Sequence, residues 1–231
     1  MSSLFSDPPF TRGTTLLNGE AIEYSSGDTY ANGVPAAGSE IVGQVKAFQD
    51  IHPVAKTRLS NELVYCVAAR FKPAAESTVL NANRDGADSG QAYVLNAASG
   101  MTGTAEFTAK ATSADVVAGK RVAFLDEYLT GTVRANDIVW LVFKGPANLK
   151  KIVGGAINPG GAVRVSPAGA DPGKVTAATN ILPVATGSSE SVVIGQAFGT
   201  IDPATYDQTL GGTAASAGTT VRVFTNGVGW A

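Results

Sequence analysis

The side chains able to do chemistry are few in this chain: His52 is its only histidine and Cys66 its only cysteine. A Ser-His-Asp or Cys-His arrangement would have to use His52, which Pro53 follows in a turn-like context, and no G-x-S-x-G elbow is present. His52 therefore reads as a surface or turn histidine. Cys66 lies in the apolar run Leu63-Val64-Tyr65-Cys66-Val67 and reads as a small buried hydrophobe. One cysteine excludes an intrachain disulfide and any thiolate metal cluster.

Asn81-Ala82-Asn83-Arg84-Asp85-Gly86 has the spacing of the opening of an EF-hand loop, but its first position is neutral and Ala92 stands where a bidentate glutamate is needed. It reads as a hydrophilic hairpin tip, with Asp85 and Asp88 solvated. Gly119-Lys120 and Gly173-Lys174 lack the glycine spacing and the following Ser or Thr of a phosphate-binding loop, so they read as turns into strands. Asp126 and Glu127 are adjacent carboxylates, but neighbours on a strand point to opposite faces and would not form an acid/base couple. The expectation is a non-enzyme with no catalytic residue, no metal and no cofactor.

The elements around these residues read as β. Leu16-Leu17, Ala21 to Tyr24, Ile41 to Phe48 and Leu63 to Phe71 are apolar or alternating runs separated by Gly, Asn, Asp and Pro. Ser77 to Leu80 and Gln91 to Leu95 suit a hairpin with a long tip, and Glu106 to Thr108 and Arg121 to Leu125 continue the series. Asp137 to Lys144 is the strongest strand, central and closed by Gly145-Pro146. Ala162 to Val165, Lys174 to Thr176, Val192 to Phe198 and Thr220 to Phe224 follow, and no helix of three turns has the required period. The expected fold is all-β, a sandwich or barrel of short antiparallel strands behind an extended N-terminal arm. The expected organisation is an arm over 1–13, a β region over 14–115 and a C-terminal β domain over 116–231.

A formal charge of −2 and a pI near 5.4 offer no basic field for phosphates, so nucleic acid is not an expected partner. The first residues have no basic stretch ahead of an apolar core, and no apolar run reaches about 18 residues, so neither export nor a membrane is expected. From Ile152 to Ala231, 80 residues carry only seven charges: Arg164, Asp171, Lys174, Glu190, Asp202, Asp207 and Arg222. So uncharged a stretch points to a surface covered by other protein. The Gly-rich tract Gly211 to Gly218 reads as a loop tip, and Thr213 and Ala215 on it are candidate interface residues. In the arm, Pro8-Pro9 forbids regular hydrogen-bonded structure, and Leu4, Phe5 and Phe10 either anchor on a neighbouring subunit or pack on the chain's own core. On the first alternative, deleting residues 2 to 12 leaves the melting curve nearly unchanged.

One succession of segments is familiar. The strand through Val139-Trp140 is followed by Lys144-Gly145-Pro146-Ala147 and Ile157-Asn158-Pro159-Gly160-Gly161-Ala162-Val163-Arg164-Val165-Ser166. Gly173-Lys174-Val175-Thr176-Ala177, Ile194-Gly195-Gln196-Ala197 and Thr220-Val221-Arg222-Val223 complete it. This pattern, over residues 119–228, resembles the small β-rich capsid decoration, or cement, proteins of tailed bacteriophages. The resemblance implies a structural virion protein, made in the host cytoplasm and placed on the outer surface of the capsid. Its partners would be the major capsid protein and itself, as a homotrimer, and its effect would be to stabilise the shell. The chain departs from that family in its long additional N-terminal portion. A carbohydrate- or receptor-binding β module of a phage tail or fibre is the rival reading; it wants exposed aromatic side chains, whereas Trp140 reads as buried. A major capsid subunit would need long helices and a larger chain.

Overall fold

The computed structural model describes residues 12–13, 15–16, 41–52, 56–73, 75, 77–82, 88–97, 105–152, 156–169, 171–178, 193–201, 208–210 and 220–227. They form a mostly β protein. The strands up to the single short helix are β1 (Val45–Ile51), β2 (Arg58–Phe71), β3 (Leu80–Ala82), β4 (Ala92–Ala97) and β5 (Ala105–Lys110). Helix α1 (Ser113–Val117) is followed by β6 (Val122–Leu125), β7 (Gly131–Val133), β8 (Ile138–Lys150), β9 (Ala162–Val165), β10 (Val175–Ala177), β11 (Gly195–Ile201), β12 (Gln208–Leu210) and β13 (Thr220–Asn226).

Eleven of these strands share one sheet, ten of them in the order β1-β2-β5-β4-β6-β8-β13-β11-β9-β10, with β12 beside β11. Because β2 also pairs with β8, the path β2-β5-β4-β6-β8 closes on itself as a five-stranded barrel. Strand side chains alternate between faces, and alternate residues fill this barrel: Val67, Ala69 and Phe71 of β2, Tyr93 and Leu95 of β4, Phe107 of β5, and Val139 and Leu141 of β8. Burial of each large apolar side chain contributes about 1.5–3 kcal/mol. The small sheet of β3 and β7 adds Leu80, Ala82 and Val133 to the same core.

The opposite faces of β2 and β8, through Cys66, Ala68, Ile138, Trp140 and Val142, belong to a second core shared with β9, β10, β11 and β13. Strand β8 serves both by bending. Gly145 adopts φ +98°, the pairing with β2 shifts register beside it, and buried residues move from even positions up to Val142 to the odd positions Ala147 and Leu149. Beyond the bend, β8 pairs with β13, and β13, β11, β9 and β10 follow in turn. Lys151 bridges Val175 in parallel, bringing β10 back to the end of β8.

The all-β expectation and the central place of Trp140, 2% exposed and edge-on to Phe48 at 5.4 Å, match the structure. Several details differ. β2 and β8 are long, at 14 and 13 residues, and β2 pairs with β5 in parallel. Gly145-Pro146 lies inside β8 instead of at its end: it follows the bulge at Phe143 and pairs in regular register with Thr225 and Phe224. β3 pairs with β7, so Leu80 and the strand beginning at Ala92 do not form the expected hairpin. Residues 113–117 form α1, whose N-terminus is closed by Thr112 and Asp115 in a reciprocal capping box. Strands from both sides of residue 115 are hydrogen-bonded neighbours, as β2 with β8 and β4 with β6.

Candidate functional site

Among the described residues, the densest collection of ionisable groups lies inside the protein, where Arg12 and Gly13 meet the turn after β6. Strand β6 ends at Leu125, so Asp126 and Glu127 leave the alternation of a strand, and both reach the same cation. One Arg12 nitrogen, Nη2, donates to Asp126 Oδ1 at 2.9 Å and to Glu127 Oε2 at 2.6 Å. The sequence expectation that these two carboxylates face apart is therefore corrected: the turn aims them at one point. Asp126 also accepts the Gly13 N–H at 2.8 Å and the Tyr128 N–H at 3.3 Å. The Arg12 guanidinium covers the Tyr128 ring at 4.9 Å, and the His52 ring meets that ring edge-on at 4.8 Å.

All of these side chains are buried. His52, expected as a surface or turn histidine, opens the turn after β1, its backbone N–H donating to Thr57 O at 2.8 Å and its carbonyl accepting the Lys56 N–H at 2.9 Å, but it is 2% exposed, because packing by Tyr128 removes it from water. A second ion pair lies in the same interior: Arg222 of β13 donates to Asp50 of β1, which also accepts the Ser60 hydroxyl at 2.6 Å. Arg222 further donates to Asn148 Oδ1 at 3.2 Å and stacks over Phe198 at 5.5 Å.

Burial pushes the Glu127 carboxyl above its ordinary value, Arg12 opposes that, and the Asp126 charge adds to it. Burial works against the charge on Arg12, but Asp126 and Glu127 outweigh it and hold the guanidinium firmly protonated. Burial raises the Cys66 thiol and the Tyr128 hydroxyl. Cys66 is 0% exposed, so the expectation of a small buried hydrophobe agrees with its place in the core. Chemically, this arrangement ties chain segments together by charge.

The remaining sequence candidates lie apart from this group. Asp88, expected to be solvated, is 7% exposed: its Oδ2 accepts the Asn81 N–H at 2.8 Å and its Oδ1 pairs with Lys110 at 2.9 Å. The carboxylate thus fastens the chain at β3, and positions 83–87 of the EF-hand-like stretch lie outside the described residues. Lys120 pairs with Asp115 at 2.8 Å, and Lys174 with Asp171 at 3.0 Å. Among the described residues, no group of three or more His, Cys, Asp or Glu side chains is arranged to hold a metal ion, and no helix is long and apolar enough to cross a membrane. Leu4, Phe5, Phe10, Thr213 and Ala215, the interface candidates, lie outside the described residues.

Sequence reasoning missed Arg12 and Arg222. The available signals were slight: a charged pair directly after an apolar strand, and a lone arginine between Val221 and Val223, whose alternation leaves it on the face opposite them. No protein-family model matches the chain, and no curated protein or solved structure matches it.

Proposed function

We propose that this chain is a structural virion protein that binds the outer surface of a phage capsid, engages the major capsid protein as a homotrimer, and stabilises the shell. The observation that carries this reading is the company kept by the segments that resemble decoration proteins. Lys144 to Asn148 pair with Arg222 to Asn226, Gly195 and Gln196 pair with Val163 and Ala162, and β9 pairs with β10. Segments strung along residues 119–228 thus become neighbours in one continuous part of the sheet.

Charge adds support. Of the seven charges after Lys151, Arg222 is spent inside the protein, and Lys174 and Asp171 neutralise each other. A surface poor in free charge is cheap to desolvate, and small side chains lose little rotamer entropy when a partner covers them. A symmetric trimer on a repeating shell multiplies modest contacts through effective concentration.

The test is cosedimentation of the purified chain with shells of the phage that encodes it, prepared without it, together with the heat resistance of the loaded shells. Saturable binding at a fixed copy number and a higher disruption temperature are expected. A variant carrying Thr213→Lys and Ala215→Lys probes whether the Gly-rich tract contributes to the contact. Failure to bind shells, with the protein located in tails or fibres of purified particles by mass spectrometry, overturns the reading in favour of a tail or fibre module.

A further inference from the structure

The apolar face of β2 that fills the barrel runs on past the barrel core. Val67, Ala69 and Phe71 are buried inside it, and the preceding residues on that face, Tyr65 and Leu63, lie beyond it. Leu63 is 43% exposed, and the Tyr65 ring leans on the half-buried Phe143 at 6.3 Å. On β1, Val45 stands opposite Val67, Ala47 opposite Tyr65 and Gln49 opposite Leu63. All three are exposed, Val45 by 55%.

The same three residues carry an open edge of the sheet. β1 is a terminal strand, and among the described residues only β2 pairs with it. Gln44 O accepts the Ala68 N–H at 2.9 Å, which sets the parity of the ladder: even-numbered residues of β1 turn their backbone groups toward β2, and Val45, Ala47 and Gln49 turn theirs away from it. Edge strands are commonly blunted by proline, by charge or by being very short. β1 has seven residues and no proline, and its lysine, Lys46, lies on the other face, over the Phe48 ring at 5.8 Å. What remains is an outward row of N–H and C=O groups beside uncovered apolar side chains.

Charge selects the occupant. Lys56, Arg58 and Lys144 are exposed around this ribbon, with Glu62 as the exposed acid among them; Asp50 is buried against Arg222. Lys144 holds its ammonium 5.7 Å over the Tyr65 ring, on the apolar face itself. A second copy paired through β1 would set the same positive excess against itself, whereas a strand bearing carboxylates is drawn in.

We propose that the free edge of β1 is a docking site for an extended acidic segment of another protein, which adds to the sheet as a strand and lays apolar side chains on Val45, Ala47 and Tyr65. Backbone bonds to the odd-numbered residues supply the affinity, and the apolar face sets the register. The edge takes such a segment whether or not the chain binds shells.

The probes are two short synthetic peptides, one alternating valine with glutamate and the other valine with lysine, each titrated into the full nitrogen-15-labelled chain. With the acidic peptide the amide signals of Val45, Ala47 and Gln49 should shift, and their hydrogen exchange should slow about tenfold once about nine-tenths of the chain is bound. Lys46 and Phe48, whose N–H groups turn toward β2, should change little. Ala47→Pro removes one outward N–H and no bond to β2, so it should keep the wild-type melting curve and lose the peptide. Ala47→Thr, which keeps the N–H, should retain it. Absence of any response to the acidic peptide overturns the proposal, as does equal binding of the basic one, slowing that does not alternate along β1, or a response that survives Ala47→Pro. Concentration-dependent slowing at the same amides without peptide overturns it in favour of a second copy. Should Ala47→Pro not fold, the alternation in wild type decides by itself.

Discussion

Replacing Arg222 with methionine removes the cation that ties β13 to β1 while keeping most of the side chain's bulk. Arg222 and Asp50 are 172 positions apart in sequence, and both are 0% exposed. Without the guanidinium, Asp50 keeps the Ser60 hydroxyl at 2.6 Å as its donor among the described residues, and Asn148 Oδ1 loses the N–H at 3.2 Å. Breaking a buried ion pair from one side costs about 3–5 kcal/mol, because the surviving charge stays out of water without its partner. At about 2–4 °C per kcal/mol for a chain of this size, Tm should fall by about 6–20 °C. Asp50→Asn alone should act in the same direction. The double variant Asp50→Asn/Arg222→Met leaves no orphaned charge and should recover much of the loss, giving a coupling energy of the pair. Thermal and urea melts of the four proteins, followed by far-UV circular dichroism, supply the numbers. If Arg222→Met melts within about 1 kcal/mol of wild type, or if the single losses simply add, the pair is not the desolvated tie described above.

Two further outcomes follow from the same interior. Gly145→Ala should cost about 2–4 kcal/mol in a urea melt, because the backbone there holds φ +98° and a Cβ collides with the carbonyl oxygen of Leu63 and comes within 3.2 Å of Val64 Cα; an unchanged midpoint would show that β2 and β8 do not cross so closely. Deleting residues 2–12 should lower stability by about 3 kcal/mol more than deleting residues 2–10, since only the longer deletion takes the cation from Asp126 and Glu127. This corrects the expectation that removal through residue 12 leaves the melt unchanged, and coincident melting curves for the two truncations would restore it.

Strand formation was legible wherever the pattern was local. β9 has the bounds that its alternation implies, and β2, β8 and β13 contain their expected apolar cores, because the two-residue period and β-branched composition act over a few neighbouring residues. Turn signals were legible as interruptions but not in kind. Gly145-Pro146 looks like the end of a strand in sequence, and only the partner strands on both sides of it carry the strand through. The capping box of α1 can be read from Thr112 and Asp115, yet five helical residues give too short a period to stand out.

The sequence by itself determined a β protein with a charge-poor C-terminal half, a buried tryptophan strand and a lone thiol in an apolar run. Those properties depend on composition and on contacts between near neighbours. Only the tertiary structure decided that β3 joins β7, that β2 and β8 close a barrel, and that His52 and Asp88 are buried. It alone brought Arg12 to Asp126 and Glu127 across more than a hundred positions, and Arg222 to Asp50 across 172. A charged residue in sequence carries no mark of its partner. Whether it meets water or an opposite charge depends on which distant strands fold over it, and the cost of burying it alone is what makes the distant partner necessary.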